Sequence, residues 1–252
     1  NAGKRHDGER MDRARQLGEN GIAGLLWKFS LPAVVGMVVH SLYNVVDRIF
    51  IGRAVGPVGI AGISVAFPMM VILMAFGMLI GIGATSLISI RLGQQRREEA
   101  EKVMGNAFVL FVMVSFVLTF TGLAFIEEIL LMFGASEEIL PHSKEYLEII
   151  LMGTIFQCIG FGMNNFIRGE GNPNTAMSTM LIGAFLNMVL DPVFIFWLDM
   201  GIRGAAIATV ISQAVSSMLV LRYFLFGSSL LKIRFRAFRL ERRIVLGILA
   251  IG

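Results

Sequence analysis

Two aspartates stand inside stretches of sequence that are otherwise apolar. Asp47 lies in SLYNVVDRIFIG (41–52) and Asp191 in LNMVLDPVFIF (186–196). A carboxylate at the centre of a bilayer costs about 2.5–3.5 kcal/mol on insertion scales, so acids in such places call for a functional reason. Asn187 precedes Asp191 by four residues and therefore shares its helical face. Tyr43 and Asn44 stand at i−4 and i−3 from Asp47, with His40 one turn further back. Thr209 occupies a third apolar stretch. Carboxylate, amide and hydroxyl oxygens of this kind support two chemistries: a carboxylate pair that exchanges protons, or a cage that wraps a desolvated Na⁺.

These groups need helices that cross a membrane. Of the 252 residues, 56% are apolar and only 16% charged, whereas a water-soluble domain carries about 25% charged residues. Six apolar stretches exceed the roughly 18 residues that mark a spanning helix. They run over 25–53, 58–90, 103–126, 144–168, 175–200 and 204–226. The fold class expected is an all-α polytopic membrane protein, a bundle of six transmembrane helices. A polar segment (1–24) precedes the bundle (25–226), a basic linker (227–243) follows it, and an apolar run (244–252) begins a seventh helix. Eight residues of that run reach only about 12 Å as helix.

Lysines and arginines crowd the N-terminal segment, the loop 91–102 and the linker. Short loops rich in Lys and Arg remain cytoplasmic, so both ends of the six-span unit are expected there. Loop 91–102 reads as a short solvated helix, and the linker as positive-inside anchoring. Counted from the opposite face, Asp47 lies six residues inside Arg53 and Asp191 nine inside Met200, roughly 9 and 14 Å at helical rise. Thr209 lies five residues from Gly204, roughly 8 Å deep. The four groups can therefore meet at one level of the bundle. Span four adds Tyr146, Gln157 and Asn164 near one face, and span five adds Met180, as candidate substrate contacts or supports. The simpler alternative pairs Asp47 with Arg48 or Arg53 and leaves Asp191 capping a kink at Pro192.

Other classes find little support. No GxxxxGK[ST] loop is present, the three histidines are scattered, and the GxGD of intramembrane aspartyl proteases is missing. The basic balance of +4 follows the loops, which argues against nucleic acid. Pro32, Pro68 and Pro192 each remove a backbone donor inside a span, and Gly77 and Gly81 form a GxxxG spacing that permits close helix packing.

Several stretches together resemble the multidrug and toxic compound extrusion (MATE) family: SLP (30–32), SLYNVVDRIFIG (41–52), GIGATSLISIRLGQ (81–94), RGEGNPNTAM (168–177), LNMVLDPVFIF (186–196) and GIRGAAIATVISQ (201–213). The resemblance implies that this chain is one lobe of a twelve-helix, two-lobe transporter, with the C-terminal lobe as its partner. It implies an antiporter in a bacterial or archaeal plasma membrane that exports amphipathic, cationic compounds without a cofactor. Asp47, Asn187, Asp191 and Thr209 would bind the coupling ion, H⁺ or Na⁺, and span one would bend on loading. A lipid-linked oligosaccharide flippase of the same superfamily is the alternative; it would need more chamber cations than Arg48 provides.

Overall fold

The computed structural model describes residues 22–227, 229–232, 238 and 240–252. The N-terminal segment 1–21 and most of 233–239 therefore lie outside the described residues. Helix α1 spans Ile22–Ala54, α2 Pro57–Gly93, α3 Arg97–Ala124, α4 Ile126–Met132, α5 Leu140–Met152, α6 Thr154–Gly169, α7 Pro173–Pro192, α8 Gly201–Phe226 and α9 Arg242–Ile251. No strand occurs among the described residues. Five helices are long and apolar enough to cross a membrane, and α5 with α6, bent by 56°, makes a sixth span.

Local chemistry sets the boundaries. Pro57 and Pro173 stand in the first turns of α2 and α7, where a missing N–H costs nothing because it has no intrahelical partner. Asn172 caps α7 by accepting the Thr175 N–H at 3.4 Å. Pro192 removes a donor at the end of α7, and the chain continues through a wide π-helical turn, Val193–Trp197. Its closure is the i→i+5 bond from Leu198 N–H to the Val193 carbonyl, 3.0 Å.

Three sequence expectations are corrected here. Residues 91–102 do not form a helix of their own: α2 runs on to Gly93, Gln94–Arg96 make the turn, and α3 begins at Arg97. The third span stops at Ala124, and the acidic stretch after it folds as the separate short helix α4. Span four is not straight. It breaks at Gly153, where a Cβ would stand 2.5 Å from Val210 Cγ2 of α8, so a glycine lets the elbow press against its neighbour.

In lipid the apolar side chains gain little by leaving their surroundings, so close packing and interhelical hydrogen bonds hold such a bundle together. The small residues do this on α2. A Cβ on Gly81 would lie 2.9 Å from Gly162 Cα of α6, and one on Gly77 would lie 3.5 Å from Cys158 Cα. The GxxxG spacing thus marks the α2–α6 contact. Hydroxyls and amides add cross-links: Ser143 Oγ donates to the Gly62 carbonyl at 3.0 Å, Thr119 Oγ1 to Leu151 at 2.7 Å, and Ser216 Oγ to Thr179 at 3.0 Å. One apolar core gathers around Phe111, Phe166 and Phe224 and another around Ile51, Tyr146 and Ile195.

Glu170, in the turn between α6 and α7, holds the chain that leaves α8. It is 3% exposed. Its carboxylate accepts from Ser229 Oγ at 2.6 and 2.9 Å, from the Leu230 and Leu231 N–H groups at 3.0 and 3.2 Å, and from the Tyr223 hydroxyl at 3.2 Å. Burial pushes the Glu170 carboxyl above its ordinary range, against the downward pull of these donors. Further along, the Lys232 N–H donates to Glu101 Oε1 at 3.3 Å and the Glu241 N–H to Asn106 Oδ1 at 2.7 Å. The described ends of the linker are therefore fastened to the bundle by backbone hydrogen bonds, beyond any attraction of its basic residues.

Candidate functional site

Helix α1 packs along α7, and α7 along α8, so the four predicted groups stand on neighbouring helices. Asp47 is 5% exposed, Asp191 0%, Asn187 2% and Thr209 4%. Asn187 Nδ2 donates to Asp191 Oδ1 at 3.2 Å along its own helix and to Thr209 Oγ1 across to α8 at 3.4 Å. Asp47 and Asp191 lie within electrostatic reach of one another, as do Tyr43 and Tyr146 of both acids. Among the described residues no ion pair joins Asp47 to Arg48 or Arg53, although Lys144–Glu127 and Arg203–Glu145 pair at 2.6 and 3.8 Å. The Arg48 charge acts on Asp47 from beyond ion-pair distance.

The acceptor side of this cluster is left open. Asp47 Oδ1, Asn187 Oδ1 and Asp191 Oδ2 are buried and have no hydrogen-bond donor. Gln157 Oε1, Ser212 Oγ and Gln213 Oε1 are in the same condition. Native proteins pair the large majority of such atoms, and an uncompensated buried carboxylate costs several kcal/mol. An array of orphaned oxygens is what a bound cation would satisfy. The donor set of carboxylate, amide and hydroxyl oxygens fits Na⁺ as well as a proton, while no cluster of three or more His, Cys, Asp or Glu suited to a metal ion occurs among the described residues.

Two cavities flank these groups. A narrow one of about 60 Å³ is bordered by Tyr43, Gln157, Asn164, Asn187, Thr209 and Ser212, among others. A single water occupies roughly 10–15 Å³ on this measure, so this space is that of a few waters, and neither Asp47 nor Asp191 borders it. The second, about 350 Å³, lies between α1 and α2 and reaches Asn44, Arg48, Phe67, Gln157 and Gln213.

The remaining candidates divide. Tyr43 and Gln157 border both cavities and Asn44 the larger. Tyr146 is 2% exposed and belongs to the core near the acids. The bend at Gly153 separates Tyr146 from Gln157 and Asn164, so the expected continuous stripe is broken. Asn164 also secures the bundle, donating to the Ala176 carbonyl and to Thr179 Oγ1, both at 2.9 Å. Met180 packs against Gly36 and accepts from Arg168 at 3.0 Å. The His40 side chain lies outside the described ones. Ser212 and Gln213 were not singled out in the sequence. Their signal was the polar row Thr209, Ser212, Gln213 and Ser216 at spacings of three, four and seven on α8.

Residues 32–193 match the MatE family model. This chain belongs to the MATE transporter family. Multidrug export protein MepA of Staphylococcus haemolyticus is 31% identical over 206 residues, which are 82% of this chain and 46% of that protein. A MATE crystal structure in the straight conformation superposes with a TM-score of 0.87 at 32% identity, covering 94% of this chain and 53% of that one. A structure of a MOP superfamily transporter from Pyrococcus furiosus, described as having a binding pocket of reverse polarity, superposes at 0.88 and 32% identity, covering 94% and 52%. The chain thus spans about half the length of the relatives it matches, and the helices of this multi-pass MATE lobe are the part described here.

Proposed function

We propose that the chain forms the ion-coupling lobe of an antiporter that exports amphipathic, cationic compounds in exchange for H⁺ or Na⁺. The observation that supports this reading is the set of donorless buried oxygens on Asp47, Asn187 and Asp191, carried on the adjacent helices α1 and α7. With no cation bound, two carboxylates share a poorly solvated site and repel one another. A proton or Na⁺ relieves that repulsion, and the free-energy difference between loaded and empty forms biases one arrangement of the helices over another. Helix α1 carries Asp47 and Pro32 and is the element expected to bend. The ion would enter from the face opposite the basic loops, in the plasma membrane of a bacterium or archaeon, and a second lobe would complete the substrate path.

Similarity to a staphylococcal multidrug export protein supports drug substrates, whereas the oligosaccharide flippase reading gains nothing from the relatives. The test is efflux of a fluorescent organic cation from vesicles under an imposed pH or Na⁺ gradient. Asp47→Asn and Asp191→Asn should each reduce ion-driven efflux at least tenfold while the protein still folds and inserts. Undiminished efflux in both variants sinks the reading.

A further inference from the structure

Arg48 acts on the neighbouring Asp47 through its charge but is not among the ion-binding groups. It follows Asp47 on α1, within a membrane-spanning segment, yet no carboxylate lies within the 4.0 Å of an ion pair among the described residues. Its guanidinium carbon stands 5.2 Å from the centroid of the Phe67 ring on α2. That contact covers one face of the guanidinium plane and fixes its direction, but it satisfies none of the N–H donors at the edge of that plane. Arg48 and Phe67 both border the cavity of about 350 Å³.

The other walls of this cavity have the opposite character. Gln157 and Gln213 also border it, and their Oε1 atoms are buried acceptors with no donor. Phe67, Phe161 and Met74 supply apolar and aromatic surface to the same cavity. Arg48 therefore asks for an acceptor, the glutamine oxygens ask for N–H donors, and the apolar walls suit a flat or aliphatic body. A planar guanidinium presents two parallel N–H groups that match a carboxylate bidentately, which a simple cation cannot exploit.

We propose that Arg48 is a specificity-determining residue that receives the carboxylate of zwitterionic amphiphiles, whose amino end faces Gln157 and Gln213. This deepens the efflux reading and rests on it. A solitary guanidinium suits one carboxylate, not a pyrophosphate, and a purely cationic compound gains nothing from residue 48.

The test uses two dyes with one chromophore: rhodamine 110, which carries N–H groups and a free carboxylate, and its methyl ester rhodamine 123, which keeps the N–H groups and lacks the carboxylate. Binding to the intact protein in detergent is followed by fluorescence anisotropy, and export is measured in vesicles. Arg48→Gln should weaken binding of the free acid about tenfold and leave the ester within about twofold, and Arg48→Lys should fall between. The ester also reports that the variant is folded. Equal losses for both dyes, or no loss for the acid, would overturn the assignment of Arg48 while leaving efflux standing. Failure of the wild-type protein to bind or export either dye would overturn the efflux reading and this one with it.

Discussion

Asn187 donates one amide hydrogen to Asp191 on its own helix and the other side of the same nitrogen to Thr209 on α8, at 3.2 and 3.4 Å. The amide nitrogen is thereby committed, and the carbonyl oxygen Oδ1 is turned into the site with no donor. On the proposed coupling, Asn187 would serve as an acceptor for the cation. Asn187→Leu keeps the volume but removes that oxygen and both donor contacts. Ion-driven efflux at a fixed gradient should fall roughly fivefold to tenfold, about 1–1.4 kcal/mol, in a variant that still inserts. Wild-type efflux would show that the amide is only packing.

The two acids should act as one unit. If, as proposed, each variant alone leaves a site unable to exchange its ion, the double change Asp47→Asn with Asp191→Asn should cost no more than the worse single change. Vesicle efflux rates for the three variants measure this. Multiplicative losses would mean the acids serve separate steps.

Glu170 gives a pH dependence outside the spans. Burial raises its carboxyl, so the folded protein holds that proton more tightly than the unfolded chain does. The contribution of this group to stability is therefore greatest below the ordinary carboxylate range and declines as pH rises through the raised folded value. Glu170→Gln should remove that slope from a melting curve series. It also places an amide donor where Leu230 and Leu231 present N–H groups. Hydrogen bonds to charged groups contribute about 1.5–3 kcal/mol each, so their amides should exchange with deuterium at least tenfold faster in the variant.

The two glycines of α2 should differ in cost. A Cβ on Gly81 meets the Gly162 backbone at 2.9 Å, and that backbone cannot swing aside as a side chain can; a Cβ on Gly77 meets Cys158 at an ordinary 3.5 Å. Gly81→Ala should lose about 1–3 kcal/mol through overpacking, with Gly77→Ala close to wild type. Thermal stability in detergent separates the two, and equal melting points would contradict the packing described for α2 and α6.

The acids are legible because an ionisable group inside an apolar run is conspicuous, and because counting from the face opposite the basic loops gives its depth. Asp47 and Asp191 could be placed together without knowing how α1 and α7 pack. The elbow at Gly153 was not legible, since one glycine in an apolar helix serves equally as a close contact and as a break; only the Val210 contact distinguishes them. The wide turn after Pro192 is similar: a proline announces a missing donor without saying how the chain recovers. The hold of Glu170 on Leu231 joins residues 61 apart, and no local pattern encodes a bond between a carboxylate and a distant backbone.

The exposure of α1 has a mechanical meaning. Among its described side chains only Pro32, Gly36, Asp47 and Ile51 are fully buried, whereas α2 buries twelve residues. A helix gripped on all sides absorbs a local push as strain spread over many contacts. A helix touched along one edge behaves as a soft spring, and of its four fixed points one is the acid itself. On the proposed coupling, a single positive charge gained or lost at Asp47 would therefore act on one of the few points that hold α1, where the same force on α2 would be spread through its packing.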